Sequence, residues 1–137
     1  MKINDKEVKF NFKAFFRANK ILSTAPNADD GASQLWLQFV TDNEMAVPNA
    51  VQVLLSGISE DKVADLMDKY EEDGQFEQLR ADLQDELQKS GFFRRAATHW
   101  INLVDKYQTG KKAETEEEKM KQQVQKDTLD AMRKSLS

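Results

Sequence analysis

Thiol chemistry is missing from this 137-residue sequence, which contains no cysteine. The chain therefore forms no disulfide, holds no thiolate-bound metal and has no cysteine nucleophile. Histidine is almost as scarce, because His99 is the only one. No metal-ligand spacing such as HExxH is present, so we interpret His99 as an ordinary helical residue. We predict no catalytic residues and no metal ligands.

Phosphate-binding loops and long apolar runs are also missing. The five glycines are isolated and form neither a GxGxxG nor a Walker-type loop, which argues against a nucleotide cofactor. No apolar run approaches the roughly 20 residues that span a bilayer. Residues 1–12 lack the apolar core of a signal peptide. We expect no cofactor, no membrane partner and a cytoplasmic location.

The sequence has no excess of positive charge. It carries 20 lysines and arginines against 24 aspartates and glutamates, and this net charge of −4 repels a phosphate backbone. We therefore expect no nucleic-acid partner. The one compact mixture of aromatic and basic residues is Phe92-Phe93-Arg94-Arg95, which could bring two guanidinium groups to an acidic partner or to RNA phosphate. Ordinary packing at a helix start is the interpretation that we favour.

Glycine and proline are few, and their positions divide the chain. Five glycines and two prolines fall between apolar stretches of helical period, as expected where glycine ends helices and proline begins them. At the start, apolar residues alternate with polar ones around the turn-forming Asn4-Asp5-Lys6. The sequence predicts a mainly α fold: an N-terminal β-hairpin, a compact bundle of about five to six short helices, and a polar C-terminal tail.

Capping residues and apolar stripes locate these helices. Asp29 or Asp30 can cap one helix, and Ser59 is a good N-cap for another. The longest coherent apolar stripe runs over residues 93–107. We predict that its helix is the centre of the core and that Trp100 is buried.

The segment after residue 107 differs in composition from the rest. It is rich in lysine, glutamate and glutamine, contains no aromatic residue and has few large apolar side chains. No internal repeat or linker divides the chain before it. We predict a hairpin plus helical domain over residues 1–107, followed by a flexible or partly helical tail over residues 108–137.

Two features suit contacts with other proteins. A two-stranded hairpin is marginal in water, so its apolar face packs on the helices or pairs with another chain at its unpaired edge. The aromatic residues that follow the hairpin can form an exposed apolar face on a short amphipathic helix, to which other proteins can bind. The candidate protein-interaction residues are Ile3, Val8, Phe10, Phe12, Phe15, Phe16, Phe92, Arg94 and Arg95.

The order of segments along the chain resembles a known family. After the hairpin come FKAFFRANK at residues 12–20, GASQL at residues 31–35 and VQVLL at residues 51–55. LQDELQKS at residues 83–90 and the aromatic helix after it continue the same pattern. Over residues 1–107 the chain resembles the tail assembly chaperones of long-tailed, siphovirus-type phages and prophages of Gram-positive bacteria.

This resemblance implies a non-enzymatic protein of the infected host's cytoplasm that is not part of the mature virion. Its main partner would be the tape measure protein, a very long helical chain that it coats or keeps soluble. A longer form, made by ribosomal frameshifting near Gly110-Lys111-Lys112, would recruit the tail tube protein. Because one long client needs many copies, we also expect a weak homo-oligomer.

A second hypothesis comes from a different class of protein. A small helical regulatory or nucleic-acid-binding protein would use Arg94 and Arg95 to contact phosphate. The net charge of −4 argues against this alternative. The gene neighbourhood separates the two hypotheses, because a tape measure gene immediately downstream favours the chaperone.

Overall fold

A computed structural model describes residues 1–108 and 114–137 of the chain. Within these residues it shows a short antiparallel hairpin followed by seven helices, so the predicted mainly α fold is confirmed. Six of the helices precede residue 109, and the seventh lies in the polar C-terminal segment. The elements are β1 (Lys2–Ile3), β2 (Lys6–Glu7), α1 (Phe12–Leu22), α2 (Gly31–Val40), α3 (Ala46–Leu54), α4 (Glu60–Glu72), α5 (Phe76–Lys89), α6 (Gly91–Gln108) and α7 (Glu116–Leu136).

The hairpin turns where the sequence predicts it. Asn4 and Asp5 have positive φ angles of 49° and 65°, the left-handed pair that a two-residue hairpin turn requires and that asparagine and aspartate tolerate. The strands are shorter than the alternating pattern suggests, because the pairing ends at Glu7. Val8 and Phe10 follow the hairpin in the segment that leads to α1, and both side chains are buried.

Helices α1 and α2 approach each other closely at a glycine. A Cβ atom on Gly31 would lie 1.9 Å from the carbonyl oxygen of Ala18, so only glycine fits at this contact. The buried face of α1 is also built of small side chains, Ala14 and Ala18. This close packing brings α1 against the centre of the molecule.

The centre of the core is α2, which corrects the prediction for α6. Helix α2 packs against α1, α3, α6 and α7, and Trp36 on it is only 1% exposed. The fully buried row of α6 consists of Phe93, Ala97 and Ile101. Trp100 is half-buried, because it lies in the neighbouring row that forms the edge of the stripe. The predicted burial of Trp100 is therefore wrong.

Helices α4 and α5 follow their sequence signals closely. The Ser59 side chain accepts a hydrogen bond from the Lys62 N–H at 3.2 Å, which confirms the predicted N-cap of α4. Helix α5 buries a single seam of Leu79, Leu83 and Leu87. Helix α4 packs on α3 and α5, and α5 packs on α3 and α6.

The C-terminal helix α7 has two unlike halves. Its first half is exposed, as the polar composition predicts. Its second half packs on α2 and α6, and buries Leu129 and Met132. There the Trp36 Nε1–H donates a hydrogen bond to Ser135 Oγ at 2.8 Å. The division into domains at residue 107 stays a prediction, and part of it, including the possible frameshift position at residues 110–112, lies outside the described residues.

Candidate functional site

Four phenylalanines form an aromatic surface at the start of α1 and α6. Phe12 and Phe92 stack with ring centroids 4.4 Å apart and an angle of 19° between the planes. Phe15 meets Phe92 edge-on at 5.9 Å, and Phe16 lies 6.2 Å from Phe12. Phe12 and Phe16 are 56% and 65% exposed, so two of the four rings face solvent. We call this set, Phe12, Phe15, Phe16 and Phe92, the aromatic surface.

Two buried phenylalanines hold the aromatic surface in place from below. Phe93 lies under it, with its ring 5.2 Å from Phe10 and 5.6 Å from Phe15 in edge-on geometry. Ser90 fixes the junction, because its hydroxyl donates to the Phe10 carbonyl at 3.3 Å and accepts from the Phe93 N–H at 3.5 Å. The exposed rings are therefore fixed to the core, and their exposure is a feature of the fold.

The helix that carries most of the aromatic surface is basic. Helix α1 contains Lys13, Arg17 and Lys20 and no acidic residue. Arg17 turns inward, where its Nε–H donates to the Val53 carbonyl at 2.5 Å and helps to cap α3. Lys13 and Lys20 remain exposed beside the Phe12–Phe16 row. The surface thus combines aromatic rings with positive charge.

An open groove continues from the aromatic surface along α1. It has a volume of about 980 Å³ and lies between α1 and the loop that leads to α2. Phe15 and Phe16 line one end, and polar side chains such as Asn19 and Thr24 line the rest. The shape suits a protein segment laid along α1 better than a buried small molecule.

Asp30 fixes the loop on the far side of this groove. Its carboxylate accepts hydrogen bonds from the Thr24 N–H at 2.9 Å and from the Thr24 hydroxyl at 2.7 Å. Slight burial raises the pKa of Asp30, but these hydrogen bonds outweigh it and hold the pKa below its ordinary value. The ionised carboxylate therefore ties the loop to the start of α2.

Arg94 is occupied within the fold. Its guanidinium donates to the Gln88 carbonyl at 3.0 Å and 3.3 Å and to the Leu136 carbonyl at 2.5 Å. It also lies 5.7 Å from the centre of the Trp36 ring. Arg94 therefore caps the C-terminal ends of α5 and α7 together, which supports the packing interpretation of this residue. Arg95, the next residue, is exposed.

The seven hydrophobic candidate interaction residues separate into two groups. Ile3, Val8 and Phe10 are 0%, 6% and 5% exposed, so they belong to the core, and Phe10 contacts Phe93 beneath the aromatic surface. The aromatic residues of α1 and α6 come together in space, as the preceding paragraphs describe. Sequence reasoning did not include Lys13 and Lys20, although their spacing beside an exposed apolar row was a usable signal.

Other kinds of site find no support in the described part of the chain. His99 is exposed on α6. Among residues 1–108 and 114–137, no three histidine, aspartate or glutamate side chains are grouped to hold a metal ion. The helices described there are all too short or too polar to cross a membrane.

Comparison with known protein families gives a match. The family model for the phage tail assembly chaperone protein, TAC, matches residues 1–100. This region runs from the hairpin into α6 and contains the whole aromatic surface, whereas α7 lies outside it. No curated protein and no solved structure matches the chain. Since the match covers well over half of the sequence, this protein belongs to the phage tail assembly chaperone family.

Proposed function

We propose that this chaperone binds the tape measure protein in several copies, keeps it soluble and helps to recruit tail tube subunits during tail assembly. It acts in the host cytoplasm, outside the finished virion, for a siphovirus-type phage or prophage of a Gram-positive bacterium. The observation that carries this proposal is the exposed aromatic surface within the family-matched region. Exposed contiguous rings on a folded helical protein are typical of a protein-binding face.

The nature of the client supports a multi-copy mode of action. A very long helical chain exposes apolar stripes along its whole length and aggregates unless they are covered. One compact chain of 137 residues covers only a short part of such a rod. Several copies must therefore bind side by side, and weak contacts between copies would strengthen the coating by raising the effective concentration of each.

Recruitment of the tail tube protein is assigned to the frameshift-extended form. The added residues of that form would follow the helical body, while the body itself stays on the tape measure protein. Co-expression with the tube protein distinguishes the two forms, because only the extended one should retain it. Retention of the tube protein by the short form would contradict this assignment.

Co-expression with the tape measure protein tests the main proposal. We expect the client to remain in the supernatant and to co-purify with several copies of the chaperone per chain. The Phe16→Ser variant should reduce the number of copies, since it removes the most exposed ring of the aromatic surface. Met45→Ser is the matched control, because Met45 is also exposed, at 54%, but takes no part in the ring cluster.

Two results would refute the proposal. A tape measure protein that is equally soluble without the chaperone has no need of it. A client that never co-purifies is not its partner.

A further inference from the structure

The second half of α7 lies against α2 and α6. Its apolar side chains recur at the spacing of one helix face, with Leu129 and Met132 buried and Leu136 partly buried. Helix α7 is therefore held by the body in the way that a separate amphipathic helix lies in the groove of a partner protein. We call the surface beneath it the α2–α6 groove.

Two buried donors of the α2–α6 groove depend on the helix that lies in it. The Trp36 Nε1–H donates a hydrogen bond to Ser135 Oγ at 2.8 Å. The Arg94 guanidinium lies over the Trp36 ring and donates to the Leu136 carbonyl. Loss of α7 from an empty groove would leave both donors without these acceptors, which is costly for buried groups. The groove therefore requires an occupant that supplies acceptors as well as an apolar face.

The attachment of α7 rests on a small part of its length. It buries two of its 21 residues, whereas the 10-residue helix α2 buries six. Residues 114–127 are all exposed. A second helix with the same short apolar row would therefore replace the whole contact that α7 makes.

Much of the helical structure of α7 is stabilised by its own sequence. The Thr115 side chain accepts a hydrogen bond from the Glu118 N–H at 3.1 Å, and the Glu118 carboxylate accepts from the Glu114 N–H at 2.8 Å. Acidic residues in the first turn and basic residues in the last favour the helix dipole. These local interactions favour a helix whether or not α7 lies in the groove.

The α2–α6 groove reaches the end of the molecule that carries the aromatic surface. Arg94 and Phe92 belong to the same first turn of α6. Trp36 and Arg94 also lie within the family-matched residues 1–100, whereas α7 lies outside them. The groove is thus part of the body that carries the binding surface, and a client held by the aromatic rings is close to one end of it.

We propose that α7 occupies a helix-binding groove in the free chain and that a helix of the tape measure protein displaces it. This inference rests on the proposed function, because it identifies a second contact with the same client. The entering helix would present apolar side chains at positions i, i+3 and i+7, as α7 does, with a hydroxyl, carbonyl or carboxylate acceptor for Trp36 and Arg94. A covalently attached competitor excludes helices that bind weakly, so α7 adds selectivity for the client.

A labelled synthetic peptide of residues 116–137 tests the exchange without any client. The full-length chain should bind it weakly, because its own α7 competes at high effective concentration. Leu129→Ser with Met132→Ser should strengthen peptide binding at least about tenfold, since the α7 of that chain competes poorly. Met120→Ser with Val124→Ser is the matched control on the same helix and should leave binding weak, because both side chains are exposed.

Fluorescence anisotropy measures the binding of this peptide, and circular dichroism checks that each variant is folded. If the folded Leu129→Ser, Met132→Ser chain binds the peptide no better than the unaltered chain, the groove does not accept an exchangeable helix and the inference is wrong.

Fixing α7 in place tests whether the client needs the groove. Arg133 on α7 donates to Asp105 on α6 at 2.7 Å, and both side chains are partly exposed. Because the chain has no cysteine, Asp105→Cys with Arg133→Cys can be joined by a short bismaleimide. Asp85→Cys with Lys89→Cys is the matched control, since it replaces an exposed ion pair within α5 and its crosslink leaves α7 free.

Dilution of urea-solubilised tape measure protein into each chaperone gives the result. We expect the chain crosslinked at α7 to keep at least about threefold less client in the supernatant than the same variant with both thiols capped by N-ethylmaleimide, because one of its two contacts is closed. The chain crosslinked within α5 should keep as much client as its capped form.

The outcomes separate this inference from the function on which it rests. Equal retention of the client by the α7-crosslinked and capped chains would overturn the displacement of α7 and leave the tape measure proposal intact. Failure of the unaltered chain to keep the client soluble would refute the tape measure proposal itself, and the displacement by this client with it.

Discussion

Helices α1 and α2 are adjacent and both are rich in aromatic residues, but the burial of those residues differs between them. Helix α2 buries Trp36 and Phe39 almost completely. Helix α1 buries only alanines and leaves Phe12 and Phe16 largely exposed. The comparison teaches that aromatic content alone does not distinguish a core helix from a binding helix. The position of the small residues decides it, because they mark the side that approaches a neighbour.

The largest effect on stability should come from the buried aromatic residues of α2. We expect Trp36→Ala to lower the free energy of unfolding by about 3–5 kcal/mol, since it removes a fully buried indole. Chemical denaturation monitored by circular dichroism measures this loss. Trp100→Ala is the control and should cost clearly less, because Trp100 is half-buried. Equal losses would mean that α2 is not the centre of the core.

Gly31→Ala should have the next largest effect, because it acts on the contact between the two helices. The added methyl group would clash with the Ala18 carbonyl, so α1 must shift away from α2. We expect a loss of about 1–3 kcal/mol in thermal or chemical unfolding. A matched substitution, Gly91→Ala, meets no atom within 4 Å and should cost much less. A stable Gly31→Ala chain would contradict the close packing of α1 on α2.

A smaller effect concerns the loop that joins α1 to α2. Because the folded pKa of Asp30 is below its unfolded value, its contribution to stability is complete above about pH 4 and is lost as the pH falls through the folded pKa. Asp30→Asn should therefore reduce stability at pH 7 by under about 1 kcal/mol, since the group is mostly solvated. The difference between the two proteins should shrink as the pH falls below about 4. A difference that grows toward low pH would have the wrong sign.

The smallest effect on stability should come from the exposed aromatic residues of α1. Phe16→Ser is expected to change the free energy of unfolding by no more than about 0.5 kcal/mol, because the ring is 65% exposed. Denaturation at low protein concentration measures the monomer alone. A large loss would show that Phe16 stabilises the fold and would weaken its assignment to a binding surface.

Local signals were sufficient to predict the helical class, the hairpin turn and the cap at Ser59. Each of these depends on neighbours in sequence, such as the left-handed backbone at Asn4 and Asp5. The relative burial of Trp36 and Trp100 was not predictable in the same way. Both lie on helical stripes of the same period, and only the packing of helices decides which stripe is central.

The candidate site was predictable only in part. Phe12, Phe15 and Phe16 share a short helix, so their clustering follows from sequence, but their contact with Phe92 joins segments far apart in the chain. The role of Arg94 required knowledge of where α5 and α7 end in space. The second half of α7 packs on α2 and α6 through Leu129 and Met132. The polar composition of the whole segment gave no signal that these two residues are buried.

The hydrogen bond between Trp36 and Ser135 makes Trp36 fluorescence an intrinsic probe of the attachment of α7. The indole N–H of a buried tryptophan is held by a residue 99 positions later, on the C-terminal helix. Release of that helix would expose the indole of Trp36 to water and shift its emission to longer wavelength. Fluorescence can therefore follow the attachment of α7 during assembly without any added label.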